Sequence, residues 1–258
     1  MKLNSEKQTD VRGVGFDTVT LEEAAQLAEN HIRYGDTAAA VYTPNSEIVQ
    51  LCIEDGSGEL YNIINSAELI VPDGIGVVKA ARILRRPLKG KVAGIELGSR
   101  MLEYAAADGI PVYFLGGKPG VAEVAAEKMC EKYAGLRICG THDGYFNKKG
   151  EQSDAVIDKI NESGAVILYV CLGAPAQELW IYENKSKFSP HLRLMLGLGG
   201  SLDVYAGNVK RAPRIFIKLG LEWLYRLLCE PSRIIRMTAL PRFYFGARRE
   251  ARQARRGK

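Results

Sequence analysis

Cysteine and histidine are sparse in this chain of 258 residues, with five of the first and three of the second. Cys52, Cys130, Cys139, Cys171 and Cys229 form no C-x-x-C pair. His31, His142 and His191 stand apart from them and from each other. A zinc site or a disulfide framework is therefore not expected. Long apolar runs are missing too: residues 165–176 (AVILYVCLGAPA) are too few to span a bilayer and include Gly173 and Pro175. The first ten residues are polar and hold no signal-like apolar segment, so the expectation is a cytoplasmic protein without a transmembrane helix. Neither G-x-G-x-x-G nor G-x-x-x-x-G-K-[ST] occurs, which counts against a Rossmann-type oxidoreductase and a P-loop ATPase.

What is present is an ordinary globular composition, 47% apolar and 25% charged, with enough length for one large α/β domain or a domain plus an appendage. The formal net charge of +5 hides two unlike parts. From residue 211 onward there are thirteen Lys and Arg against three Asp and Glu, a balance of +10, which leaves −5 for residues 1–210. An anionic partner for the C-terminus is implied, either nucleic acid or an anionic membrane surface.

Apolar runs of strand length alternate with segments of helical period, the pattern of a mostly parallel sheet covered by crossover helices. Strands are expected at 112–115, near 137–139, at 165–172 and 192–198, with helices at 119–133, 153–161 and 175–187 between them. In the first half, Thr20 and Glu23 have capping-box spacing. A strand follows at 38–42, a helix after Pro44 and a strand at 69–71. We divide the chain into an α/β catalytic domain, 1–210, and a basic amphipathic appendage, 211–258. In residues 212–228 Arg214, Lys218, Glu222 and Arg226 make one charged stripe on a helix otherwise carrying Phe216, Leu219, Trp223, Leu224, Leu227 and Leu228. Such a face must be covered, by the body itself or by lipid. After Pro231 basic residues flank Phe243, Tyr244 and Phe245, a mixture suited to a membrane interface.

Ligands of open α/β sheets bind at the carboxyl ends of strands. Thr43-Pro44-Asn45 follows the first-half strand, where helix capping is the simplest role for either polar residue. Pro72-Asp73-Gly74 follows the next: a turn aspartate is common, yet at a strand mouth beside Gly74-Ile75-Gly76 it is placed to deprotonate a hydroxyl. Gly116-Gly117-Lys118-Pro119-Gly120, Gly173-Ala174-Pro175-Ala176-Gln177-Glu178 and Gly197-Leu198-Gly199-Gly200-Ser201-Leu202-Asp203 are three glycine-bearing strand ends. Together they suggest close approach of backbone to a nucleotide diphosphate.

In their order and spacing these segments resemble the WecG/TagA/CpsF family of bacterial glycosyltransferases, glycosyltransferase family 26. The likeness includes Thr43-Pro44-Asn45, Val71-Pro72-Asp73-Gly74, Lys91 to Leu97, Phe114 to Gly117, Asp143-Gly144-Tyr145-Phe146, Leu172 to Ile181 and Gly199 to Gly207. It extends through Arg211-Ala212-Pro213, Gly220 to Leu227 and Glu230-Pro231-Ser232-Arg233, covering about residues 14 to 245. The resemblance implies a Rossmann-like fold and an inverting transfer of N-acetylmannosamine from UDP to the 4-hydroxyl of lipid-linked N-acetylglucosamine. It implies Asp73 as general base, Thr43 and Asn45 lining the sugar pocket, Gln177 facing the site and Asp203 at the nucleotide. Gly116, Gly117 and Gly200 would lie against the donor, and Arg226, Arg233 and Arg236 would close over its diphosphate. Where the family usually shows Arg-Val-x-Gly-x-Asp, this chain has Lys91 and Glu96; lysine offers a point charge in place of a bidentate fork.

No D-x-D turn is present, so neither metal nor cofactor is expected, and arginines with helix N-termini are expected to stabilise the departing UDP. The expected partners are a UDP-sugar donor, a lipid-linked N-acetylglucosamine acceptor and the anionic inner face of the bacterial cell membrane. A homodimer that hides the Trp223 face is compatible with this reading. The uronic acid form or glucose remains an alternative donor sugar, and a nucleic-acid-binding protein using Arg248 to Lys258 is the alternative of another class.

Overall fold

A computed structural model describes residues 2–4, 8–210, 212–213, 215–216, 222–229 and 238–256, without the side chains of 222, 226 and 229. A hairpin opens it, β1 (Thr9–Val11) with β2 (Val14–Phe16), antiparallel and turning at Arg12 and Gly13, both with positive φ. The sequence reading omitted this hairpin: its strands are three residues each and its turn carries Arg-Gly in place of the usual Asn-Gly or Asp-Gly.

The remaining strands are β3 (Ala39–Tyr42), β4 (Leu69–Ile70), β5 (Pro111–Gly116), β6 (Arg137–His142), β7 (Ile167–Cys171) and β8 (Leu194–Gly197). They form one parallel sheet in the order β4-β3-β8-β7-β5-β6. Both faces are covered, which is why the strands read as unbroken apolar runs. Alternation then sorts them: Ala40, Tyr42, Leu168, Val170 and Met195 face one core, while Ala39, Val41, Ile167, Tyr169, Leu194 and Leu196 face the other.

On the second face lie α1 (Leu21–Tyr34), α5 (Gly94–Asp108), α6 (Val121–Lys132) and α9 (Ser201–Tyr205). On the first lie α2 (Ser46–Glu54), α3 (Glu59–Ser66), α4 (Ile75–Ile83), α7 (Glu151–Glu162) and α8 (Ala176–Asn184). Thr20 and Glu23 form the expected capping box of α1. This is the α/β, Rossmann-like mostly parallel sheet flanked by helices that the sequence pattern implied. Helices α3, α4 and α5 were not read from the sequence; the first two have eight and nine residues, too short for a clear period.

Beyond residue 210 the described elements are α10 (Glu222–Cys229) and α11 (Ala239–Arg256). Helix α11 packs on α2 and α4, burying Phe243 at 1% exposure and Ala247 completely in the first core. Arg12, at the hairpin turn, secures it: its guanidinium lies 5.5 Å from the Phe243 ring centroid and donates to the Phe243 carbonyl at 3.2 Å. Gly246 leaves space for that guanidinium, since a Cβ there would run into it. Arg242 adds an ion pair to Glu54 at 2.9 Å. Of the three aromatics read as interfacial, Phe243 is thus a core residue, whereas Phe245 is 65% exposed.

Candidate active site

Connections leave β7 and β5 in opposite directions, toward β8 and toward β6, so the sheet has its topological switch at their carboxyl ends. Here the backbone is unusually close. Gly116, at φ 131°, lies so near the Cys171 carbonyl that no side chain fits, and the Gly117 N–H donates to that carbonyl at 3.3 Å. The loop after β6 folds over the same place, with the Gly144 N–H donating to the Gly117 carbonyl at 2.8 Å. Asp143 is turned back on its own loop, accepting from the Tyr145 N–H at 2.7 Å.

At the other end of the edge, Thr43 is buried and its Oγ1 donates to the Gly197 carbonyl at 3.1 Å, tying the end of β3 to the end of β8. Its hydroxyl also lies against Gly94, where α5 begins and where a Cβ would come within 2.8 Å of it. Asn45 caps α2: Oδ1 accepts from the N–H groups of Glu47 and Ile48 at 2.9 and 3.0 Å. Asp73 is held by its backbone N–H to the Pro44 carbonyl at 3.3 Å and is half-buried. The neighbouring Pro72 carbonyl accepts from the Val92 N–H at 2.9 Å, which sets Lys91 beside the Asp73 loop. Glu96 sits in the first turn of α5, where a carboxylate favours the helix dipole.

Between these ends lies the turn from β8 into α9, with Gly199, Gly200 and Asp203. Gln177 reaches it from α8, accepting through Oε1 from the Gly199 N–H at 2.9 Å. Asp203 is half-buried at the start of α9, and its carbonyl accepts from the N–H groups of Asn208 and Val209 at 2.9 and 3.2 Å. Thr43, Asn45, Asp73, Lys91, Gly116, Gly117, Gln177, Gly200 and Asp203 therefore share one edge of the sheet. Four strand spacings separate β4 from β5, so Asp73 and Gly116 stand roughly 19 Å apart along that edge. Arg233 and Arg236 lie outside the described residues, as does the side chain of Arg226.

A glycine-lined switch point joined to a carboxylate-bearing loop suits an extended donor with its acceptor at one end. The family model for the glycosyl transferase WecG/TagA/CpsF family matches residues 9–257. The chain belongs to this glycosyltransferase family. It is 37% identical over 205 residues to the N-acetylglucosaminyldiphosphoundecaprenol N-acetyl-beta-D-mannosaminyltransferase of Bacillus spizizenii (strain ATCC 23059 / NRRL B-14472 / W23), covering 80% of this chain and 77% of that protein.

One buried group beside Gln177 in this WecG/TagA/CpsF family member carried no role in the sequence reading. Glu178 is 1% exposed, and burial pushes its carboxyl up to about 7. A signal was available: Gln177, Trp180, Ile181 and Asn184 fall at helical spacing, and the same inward arc takes in Glu178. The Gln177 amide is 2% exposed and spent on protein partners, so any effect it has on a ligand passes through the Gly199 turn.

Proposed function

We propose that this enzyme transfers N-acetylmannosamine from UDP-N-acetylmannosamine to the 4-hydroxyl of N-acetylglucosaminyl-diphospho-undecaprenol, forming a β-1,4 linkage in the synthesis of teichoic acid or another surface polysaccharide. The observation that carries the reading is the likeness over four-fifths of the chain to the Bacillus mannosaminyltransferase.

Asp73 acts as the base that takes the acceptor proton, at the β4 mouth beside Thr43 and Lys91. The donor extends from there across the Gly199–Gly200 turn and Asp203 toward Gly116 and Gly117. Charge developing on the departing UDP is met by Lys91, by helix N-termini and by Arg226, Arg233 and Arg236. Transfer proceeds with no metal and no cofactor.

The acceptor is lipid-linked, so the enzyme works on the inner face of the cell membrane as a peripheral protein. No helix among the described residues is long and apolar enough to cross a membrane. Support for surface binding comes from Ile215, Trp223 and Leu228, which are 64%, 40% and 67% exposed, and from the exposed arginines 248, 249, 252, 255 and 256 on α11. Each basic residue near an anionic surface contributes about 1 kcal/mol. The test is turnover of a panel of UDP-sugars with a lipid-linked N-acetylglucosamine acceptor. N-acetylmannosamine transfer is expected; preference for the uronic acid form or glucose would redirect the donor assignment.

A further inference from the structure

Gln177 and Glu178 are joined side by side at the start of α8: Nε2 of Gln177 donates to Oε1 of Glu178 at 2.8 Å. That bond decides which way the Gln177 amide faces. With its nitrogen held by the carboxylate, its carbonyl oxygen is left toward the end of β8, where it accepts from the Gly199 N–H at 2.9 Å. A reversed amide would set N–H against N–H at one end and carbonyl against carboxylate at the other, losing both bonds.

The other carboxylate oxygen of Glu178 gains no such bond. Its Oε2 is buried with no hydrogen-bond partner among the described residues, a costly arrangement for a carboxylate. The backbone is anchored separately, through the Tyr42 hydroxyl donating to the Glu178 carbonyl at 3.2 Å. An apolar residue would fill this position at less cost, so the acceptor oxygen toward Gln177 is what the carboxylate supplies.

We propose that Glu178 is a positioning residue of the transferase, which fixes the Gln177 amide and through it the Gly199–Gly200 turn that receives the nucleotide diphosphate. The role toward the donor rests on the function proposed above, while the hold on the turn does not. Gly199 adopts φ 55° as the turn leads into α9, so slackening there shifts Gly200 and Asp203 together. Gln177 is the one polar side chain bonded to this carboxylate among the described residues.

The experiment has a ligand-free arm and a turnover arm, on the full-length protein. In the first, amide hydrogen exchange at Gly199 is compared for wild type, Glu178→Leu, Glu178→Met and Glu178→Gln. Both apolar variants are expected to exchange faster at Gly199; the glutamine variant keeps an acceptor oxygen and is expected to match wild type. Two apolar shapes are used so that misfolding of one does not remove the test. Unchanged exchange in the apolar variants, or glutamine behaving as they do, overturns the proposal. In the second arm, Glu178→Leu is expected to lower kcat/KM by up to about 10²-fold, the scale of a misplaced rather than a missing group, with Glu178→Gln restoring it. Adding Glu178→Leu to Gln177→Leu is expected to cost nothing further, because both break one chain of contacts. Multiplying losses overturn the proposal. Wild-type enzyme inert toward every UDP-sugar would strike the proposed function instead, and the exchange comparison would still decide whether Glu178 holds the turn.

Discussion

Asp73 and Glu178 are two carboxylates in opposite settings: the first half-buried at a loop, the second enclosed beside Tyr42 and Gln177. If Asp73 is the base, Asp73→Asn should retain UDP affinity by calorimetry and lose about 10²–10⁴-fold in turnover. Near-normal turnover would remove it from that role. For Glu178 the expected signature is in stability. Its carboxyl titrates near 7 when folded against an ordinary 4.5. Below 4.5 the group is protonated in both states. Between 4.5 and 7 only the folded state keeps the proton, so stability falls as pH rises, and above 7 the full penalty of a few kcal/mol is present. Glu178→Gln should therefore be more stable than wild type at pH 8 and little different at pH 4, as read from denaturant midpoints. Asn45 presents a third case. As the cap of α2 its replacement by Ala should cost about 1 kcal/mol, while Asn45→Asp preserves the cap. Loss of turnover in the aspartate variant at unchanged stability would separate a sugar contact from the capping role.

Helix α11 joins a sequence that looks like a tail to the body that precedes it. Phe243 and Ala247 complete the core above α2 and α4, and Arg12 reaches the helix from the far end of the chain. Phe243→Ala should lower unfolding stability by about 3–5 kcal/mol, as for other buried aromatic truncations. An effect below 1 kcal/mol would mean that the helix is not seated in solution. The sequence showed the basic aromatic character of this segment but not its docking, because an Arg-rich helix with two inward positions has a pattern that solvent, lipid and a protein core all satisfy. In contrast, the strands from 112 to 198 were legible. Their apolar runs, alternating with helices of clear period, admit few arrangements other than a covered parallel sheet. The hairpin at 9–16 and the short helices α3 and α4 were not, since three to nine residues carry too little periodicity to stand above noise.

Over the whole molecule, the charge division between an acidic body and a basic C-terminal segment is what the proposed approach to an anionic surface rests on. Sedimentation with vesicles should rise with the fraction of anionic lipid and fall as salt is added, while neutral vesicles bind weakly. Strong salt-sensitive binding to RNA with indifference to anionic vesicles would favour the nucleic-acid alternative. Sequence alone determined the class of fold, the strand-end motifs and the charge division, because each is written in local pattern and composition. The tertiary structure decided what those local patterns leave open. Strand order β4-β3-β8-β7-β5-β6 sets Asp73 and the glycine pair at 116–117 on one edge yet far apart along it. It also spends the Asn45 side chain on a cap and makes Phe243 a core residue. Burial of Glu178 belongs to the same group: whether an inward-facing carboxylate meets a partner depends on what the neighbouring strand brings to it, and no spacing in the chain records that.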